Sequence, residues 1–184
     1  VSSYLDSKVM VVLGDLTGDA ETLLLQSINN RDGFTITGDA NQRVGYSLSG
    51  AGDVNGDGFA DFIIGVPDAQ LEGVTRGAAF VIYGFAGPMT DRQLSSYTDF
   101  VVYGASTSSE TGISVSAAGD VNGDGLADII VGAMSEQPED TAYVIYGSTT
   151  KPGVIKLTQF LSGMAGFRII GSAGSGFGGS VCGA

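Results

Sequence analysis

The sequence has no histidine, no tryptophan, one cysteine and four prolines. Without histidine there is no Ser-His-Asp triad, no Cys-His dyad and no His-ligated zinc. The lone Cys182 excludes an internal disulfide framework and any cysteine-cluster metal site, and is expected to behave as a small buried hydrophobe. Basic residues are scarce: 8 Lys and Arg stand against 20 Asp and Glu, for a net charge of −12. That sign repels phosphate backbones and anionic membrane surfaces, which argues against nucleic-acid partners, and it suits cations. No apolar run approaches the roughly 18–20 residues of a membrane helix, so no membrane insertion is expected. The best stretch, Gly77 to Met89, is broken by Gly84, Gly87 and Pro88. The chain opens at Val1 without a charged leader before an apolar stretch, so a processed form or an excerpt of a larger chain or complex is expected.

What the sequence has in plenty is glycine, 30 residues of 184, and repetition. The run from Gly45 to Gly65 recurs from Gly112 to Gly132, 67 residues on. Phe34–Gly38 returns as Phe100–Gly104 and again as Phe167–Gly171, while Val81-Ile82-Tyr83-Gly84 returns as Val144-Ile145-Tyr146-Gly147. Val9–Gly14 resembles that last motif, and Phe177–Ala184 matches the run that leads into Gly52-Asp53. The chain therefore divides into the end of an upstream repeat (1–33), two whole repeats (34–99 and 100–166), and the start of a further one (167–184).

Each whole unit offers four short strands, in the first about 34–38, 45–51, 60–66 and 78–83. Alternation in Tyr46-Ser47-Leu48-Ser49 predicts one buried face, and the unbroken Phe62-Ile63-Ile64 predicts a strand covered on both sides. Segments 23–27 and 91–96 read equally as helical turn or loop. The expected fold class is all-β, with four-stranded antiparallel sheets stacked as propeller blades. Propellers usually close with about 4–8 blades, so this is a partial propeller, an open stack or a module completed by partners.

Two nonapeptides carry the strongest chemistry: Asp53-Val54-Asn55-Gly56-Asp57-Gly58-Phe59-Ala60-Asp61 and Asp120-Val121-Asn122-Gly123-Asp124-Gly125-Leu126-Ala127-Asp128. Side-chain oxygens fall at positions 1, 3, 5 and 9, and the carbonyls of Phe59 and Leu126 at position 7 are natural additional ligands. Hard cations such as Ca²⁺ take about 6–8 oxygens, carbonyls included. Glycines at positions 4 and 6 permit the positive φ that a wrapping loop demands. An EF-hand needs Glu at position 12 and flanking helices; position 12 is Ile64 or Val131, between strands. Mg²⁺ prefers a smaller, regular octahedron that keeps waters. The alternative is a pair of Asx turns with nothing bound. Duplication of three crowded carboxylates at one phase favours a cation that neutralises their repulsion.

Asp-x-Asn-Gly-Asp-Gly-x-x-Asp on a repeat of this length resembles the FG-GAP repeat of the integrin alpha-subunit propeller, and more closely the longer-repeat bacterial and algal versions. Phe177-Gly178 is the literal Phe-Gly, whereas Val44-Gly45 and Thr111-Gly112 keep the glycine; Gly65-Val66-Pro67 and Gly132-Ala133-Met134 each depart by one residue from Gly-Ala-Pro. The resemblance implies two Ca²⁺ sites, one at Asp53, Asn55, Asp57, the Phe59 carbonyl and Asp61, the other at Asp120, Asn122, Asp124, the Leu126 carbonyl and Asp128. It also implies an extracellular or cell-surface setting and a role in adhesion or protein–protein contact.

Weaker signals have plainer explanations. Asp15–Glu21 echoes an oxygen-rich loop but carries Leu23 at the ninth position and reads as a solvated turn. Gly174-Ser175-Gly176-Phe177-Gly178-Gly179 fits a dinucleotide pattern, yet the repeat phase places a strand from Gly178 onward where a helix is required. Tyr83, Tyr103, Tyr143 and Tyr146 sit in strand patterns and read as packing. Asp68, Glu72, Glu110 and Glu136 lack motif context, so no catalytic or cofactor-binding residue is assigned. The expected function is a non-catalytic, Ca²⁺-binding propeller segment for adhesion or protein contact. The alternatives are a structural or linker subunit of a large assembly, in an organelle lumen for example, or a non-catalytic propeller attached to a secreted hydrolase. Partner contacts are expected from the loops Pro67–Arg76 and Met134–Thr141, which differ most between the units.

Overall fold

The computed structural model describes residues 2–3, 7–12, 33–87, 90–97, 99–135, 138–162 and 166–183. Segments 15–21 and 23–27, and Glu136, lie outside them. The chain forms β1 (Ser2–Ser3), β2 (Lys8–Val12), β3 (Gly33–Thr37), β4 (Ser47–Gly52), β5 (Asp61–Val66), β6 (Gln70–Leu71), β7 (Val74–Thr75) and β8 (Ala78–Ile82). It continues with β9 (Arg92–Gln93), β10 (Phe100–Tyr103), β11 (Thr111–Gly119), β12 (Asp128–Ala133), β13 (Thr141–Ile145), β14 (Gly153–Lys156) and β15 (Gly166–Ile170). Among the described residues the helical turns are 3-10 turns, Leu94–Ser96 and Leu157–Ser162, and no α-helix occurs. The fold is all-β, as expected.

Three sheets follow one plan. The middle sheet is the antiparallel meander β4-β5-β8-β10, the next is β11-β12-β13-β15, and the first holds β1-β2-β3. The outer strand of each meander comes from the start of the following repeat: β10 opens at Phe100 and closes the sheet begun by β4. Between its third and fourth strands the chain also reaches back to the preceding sheet. There β9 pairs in parallel with β3, and β14 pairs in parallel with β10. Segment 91–96 is thus a short strand leading into a 3-10 turn. A two-residue hairpin, β6-β7, shapes the loop from Pro67 to Arg76.

The middle sheet is buried on both faces along β5, β8 and β10, whereas in β4 Leu48 is 38% exposed and Tyr46 just before it 45%, so the alternation there does not mark a buried apolar face. Ile63, Ala79, Val81, Phe100 and Val102 pack against Ile129, Val131, Tyr143 and Ile145 of the next sheet. Their neighbours Ile64, Val66, Ala78, Phe80, Ile82 and Val101 pack against Val9, Phe34 and Ile36 of the preceding one. Successive residues of a strand point to opposite faces, so two-sided burial requires an unbroken apolar run, as in Ile63-Ile64. The sheets stack as consecutive blades of an unclosed, partial propeller. The tyrosines pack here too: Tyr143 is fully buried, Tyr83 nearly so, and Tyr103 lies edge-on to Phe80.

Close approach between blades depends on glycine. Gly112 holds φ at +84°, and its carbonyl, turned toward the preceding blade, accepts a hydrogen bond from Ser47 Oγ at 2.8 Å. A Cβ on Gly65 would overlap that carbonyl oxygen. The arrangement repeats one period on, where Ser114 Oγ donates to the Gly178 carbonyl at 2.7 Å and Gly132 faces it without a side chain.

Two expectations fail in this last segment. Residues 178–183 lie against β11 and β12 but do not form a strand. In the whole blades the first strand pairs with the second strand of its own sheet, and among the described residues this segment has no such partner. Cys182 is exposed rather than buried, because the outer side of the same segment is uncovered.

Gly65→Ala is expected to cost about 1–3 kcal/mol through overpacking at the blade seam. Gly50→Ala, whose Cβ would meet nothing within 4 Å, should change little. Urea denaturation of both variants measures the contrast.

Candidate metal centres

Each nonapeptide joins the first two strands of its sheet, 53–61 between β4 and β5 and 120–128 between β11 and β12. Crowded carboxylates at a hairpin tip satisfy the turn's own amides first. Asp53 Oδ1 accepts from the N–H groups of Gly56 (2.7 Å) and Asp57 (3.1 Å), and Oδ2 accepts from Gly58 N–H (2.8 Å). Asn55 Oδ1 accepts from Asp57 N–H, Asn55 Nδ2 donates to Asp57 Oδ2, and Asp57 Oδ1 accepts from Phe59 N–H, each at 2.9 Å. Gly56 and Gly58 hold φ at +74° and +86°, which closes the coil without the penalty a side chain would bring.

The second loop repeats every bond. Asp120 takes the amides of Gly123, Asp124 and Gly125 at 2.8, 3.0 and 2.9 Å. Asn122 and Asp124 repeat the side-chain pair, and Asp124 caps Leu126 N–H. Gly123 and Gly125 sit at +76° and +89°.

The ninth residue differs in kind. Asp61 is buried, and its two oxygens accept from Val54 N–H and Gly84 N–H, both at 2.8 Å. Asp128, fully buried, takes Val121 N–H and Gly147 N–H in the same way. Each aspartate thereby ties the loop to the end of the third strand of its own sheet. Burial pushes the Asp61 carboxyl above its ordinary value, helped by the charges of Asp57 and Asp53 and opposed by the two amide donors. This anchoring role escaped sequence reasoning. Its signal was the Tyr-Gly that closes each Val-Ile strand, since Gly84 and Gly147 supply the amides.

Neighbouring loops are also joined. Asp53 C=O accepts from Ala127 N–H (3.0 Å), and Val54 C=O accepts from Ser148 N–H (2.9 Å). Val54 is fully buried in the seam, whereas its counterpart Val121 is 48% exposed.

Among the described residues no three carboxylates converge as a ready-made acidic cluster. The donor set is nevertheless all hard oxygen. A carboxylate oxygen has two lone pairs, and one amide occupies only one of them. Asp53 Oδ2 and Asp57 Oδ1 each keep acceptor capacity on this count, and Phe59 and Leu126 add main-chain carbonyls. The residues present fit a divalent cation held by oxygen.

Of the scattered carboxylates, Asp68 and Glu110 share one cation, Arg43. Asp68 is ion-paired with Arg43, with Nη2 to Oδ1 at 2.8 Å. Glu110 lies 3.7 Å from Arg43 and accepts from Ser135 Oγ at 3.0 Å. Glu72 pairs with Lys156 at 2.8 Å, which lowers its carboxyl below the usual value. Gly174, Gly176 and Gly178 all hold positive φ, and their counterparts Ser108, Glu110 and Gly112 do likewise. The dinucleotide-like spacing therefore reports a left-handed lead-in to a blade. Beside the first loop, the Tyr83 hydroxyl is buried without a hydrogen-bond partner among the described residues. Desolvation, and then the charges of Asp61, Asp99 and Asp57, push its phenol up to about 12.

The FG-GAP repeat model matches residues 44–82 and 111–145. The chain is 34% identical over 118 residues to integrin alpha-E of Mus musculus, covering 62% of this chain and 10% of that protein. It is 35% identical over 106 residues to integrin alpha-PS2 of Drosophila melanogaster, 57% of this chain and 7% of that one. It is 32% identical over 114 residues to phosphatidylinositol-glycan-specific phospholipase D of Bos taurus, 58% of this chain and 13% of that one. The chain spans 7–13% of the length of these curated relatives.

In EGTA, Asp61→Asn should cost about 1–3 kcal/mol, because an amide presents a donor to a buried backbone N–H. Asp57→Asn, at an exposed position, should leave metal-free stability nearly unchanged and weaken calcium binding in titration calorimetry. Tyr83→Phe removes an unpartnered buried hydroxyl and should leave the melting temperature level or raise it.

Proposed function

We propose that this chain, which carries two FG-GAP repeats, is a calcium-binding propeller segment that mediates adhesion or protein–protein interaction at the cell surface or outside the cell. Asp53, Asn55, Asp57, Asp61 and the Phe59 carbonyl would hold one ion; Asp120, Asn122, Asp124, Asp128 and the Leu126 carbonyl would hold the other. The observation that carries this reading is the duplication of one oxygen-rich loop, bond for bond, at one phase of the repeat. A cation would neutralise three carboxylates that otherwise repel one another at a hairpin tip. It would also strengthen a loop that already bonds to the next blade through Asp53 and Val54. The role is structural: the segment presents its loops and edges to a protein partner and performs no chemistry of its own.

The phospholipase D relative supports a second reading, in which the same segment is the non-catalytic propeller of a larger hydrolase. A structural or linker role in a large assembly would use the same blade edges. Purification of the protein with its native partners separates the three: a surface receptor partner, a fused catalytic domain or a fixed multi-subunit complex.

At a site Kd of about 10⁻⁴ M, 1 mM free Ca²⁺ adds roughly 1.4 kcal/mol per site. Chelation by EGTA should therefore lower the melting temperature by about 5–10 °C. Titration of the metal-free protein with CaCl₂ should give two equivalents of binding. A melt and a calorimetric trace both indifferent to calcium would overturn the calcium assignment.

A further inference from the structure

The chain holds five asparagines, and two of them, Asn55 and Asn122, are followed by glycine. Both pairs stand at the third and fourth positions of an oxygen-rich loop. Asn-Gly is the dipeptide most open to one reaction of its own atoms. The main-chain nitrogen of the glycine attacks the side-chain carbonyl carbon of the asparagine before it, and no Cβ on the glycine shields that nitrogen. Gly56 and Gly123 are exposed, as is Asn122, and Asn55 is half-buried, so water reaches both pairs.

Attack needs two freedoms: the nitrogen must give up its proton, and the amide must turn onto the nitrogen. The folded loops withhold both. Gly56 N–H is held by Asp53 Oδ1 at 2.7 Å. The Asn55 amide is held at both ends by one residue, since its Oδ1 accepts from Asp57 N–H and its Nδ2 donates to Asp57 Oδ2, each at 2.9 Å. In the second loop Gly123 N–H sits on Asp120 Oδ1 at 2.8 Å, and Asp124 holds the Asn122 amide at 3.0 and 2.9 Å. Removing the Gly56 proton would also place negative charge beside carboxylates that already repel one another. The pair therefore reacts from the opened loop, and an exposed hairpin tip opens at far lower cost than the whole fold.

We infer that Asn55 and Asn122 are deamidation sites guarded by the loops that carry them, so that loss of a bound cation exposes both to irreversible conversion. In the opened loop the deprotonated Gly56 nitrogen bonds to Asn55 Cγ, the Cγ–Nδ2 bond breaks and ammonia leaves, which closes a cyclic succinimide. Water then adds at either imide carbonyl and opens the ring. Opening on one side gives aspartate at the ordinary spacing, and opening on the other gives isoaspartate. Isoaspartate lengthens the main chain by a methylene between positions 55 and 56. The Asp53 carboxylate then no longer meets the amides of Gly56, Asp57 and Gly58 in step, and the closed loop does not re-form. The inference rests on the calcium reading for the cation's share of the guard, and on the loop's own hydrogen bonds for the rest.

The test compares the whole chain in EGTA, the whole chain in millimolar free Ca²⁺, and a synthetic peptide of residues 51–62, all aged in one mildly alkaline buffer. Mass spectrometry of proteolytic fragments reads the amide-to-acid mass change at each asparagine, and enzymatic methylation counts the isoaspartate. The peptide should convert fastest and the chain in EGTA more slowly. At a site Kd of about 10⁻⁴ M, about 1 mM free Ca²⁺ leaves roughly one loop in eleven unoccupied, so conversion should slow by about a further tenfold. Asn41, exposed and followed by Gln42, should show no response to calcium. A chain aged in EGTA until both sites carry isoaspartate should lose its calcium binding in calorimetry. Conversion in EGTA as fast as in the peptide would overturn the proposal, and so would a rate indifferent to calcium or equal conversion at Asn41. Calorimetry on the unaged chain separates two failures. Calcium that binds without slowing conversion leaves the calcium loops standing and removes the guard, whereas calcium that does not bind removes both.

Discussion

The structure depends on burying the middle sheet from both sides. A sheet covered on one face can alternate apolar and polar residues, and one covered on both cannot. The choice forces everything else. Its strands must be apolar without interruption, and neighbouring backbones must come close enough for opposing side chains to interlock. The connections are then driven to the rims. Gly65 and Gly132 sit where the next blade's carbonyl arrives, and Ser47 and Ser114 bond that carbonyl. The glycine-serine pair is the point at which backbone meets backbone. The apolar contacts on either side supply the free energy, and the pair sets the spacing.

The loops at one rim are organised by the same logic of satisfaction. Nine residues hold three carboxylates, and the turn spends most of their oxygens on its own amides. The buried ninth aspartate does something different from the first three oxygen donors: it fastens the loop to its sheet. The loop is therefore held at both ends, by the hairpin and by this carboxylate, before any ion is considered. The main-chain bonds from Asp53 and Val54 to the following blade then make the rim continuous from one sheet to the next.

Much of this was legible in the residues. The period, the four strands per unit and the two-sided burial of Ile63-Ile64 all follow from patterns with a direct geometric meaning. The loops were legible because oxygen spacing and glycine placement have few other uses. What was not legible depended on neighbours. Nothing local in Arg92-Gln93 or Gly153–Lys156 says that they cross to the preceding sheet, since two to four residues carry too little periodicity. The ninth aspartate reads as one more oxygen donor until Gly84 and Gly147 are seen beside it. Residues 178–183 have the sequence of a first strand, but a strand is defined by its partner. Cys182 was misjudged for the same reason, because burial at that position is conferred by a surface across from it.

The outer strand of each sheet belongs to the next repeat, and β9 and β14 each belong to the same repeat as the edge strand they seal. The unit that recurs in the sequence and the unit that folds are therefore out of phase by one strand. A chain built this way can gain or lose a whole period at any cut point without leaving a sheet unfinished, provided that the spacing between equivalent residues is kept. Each sheet borrows the same part from whichever neighbour follows. Whole periods can then be added or removed without a special boundary, and the frame itself tolerates small changes, since Val81 and Val144 lie 63 residues apart and Gly45 and Gly112 lie 67 apart.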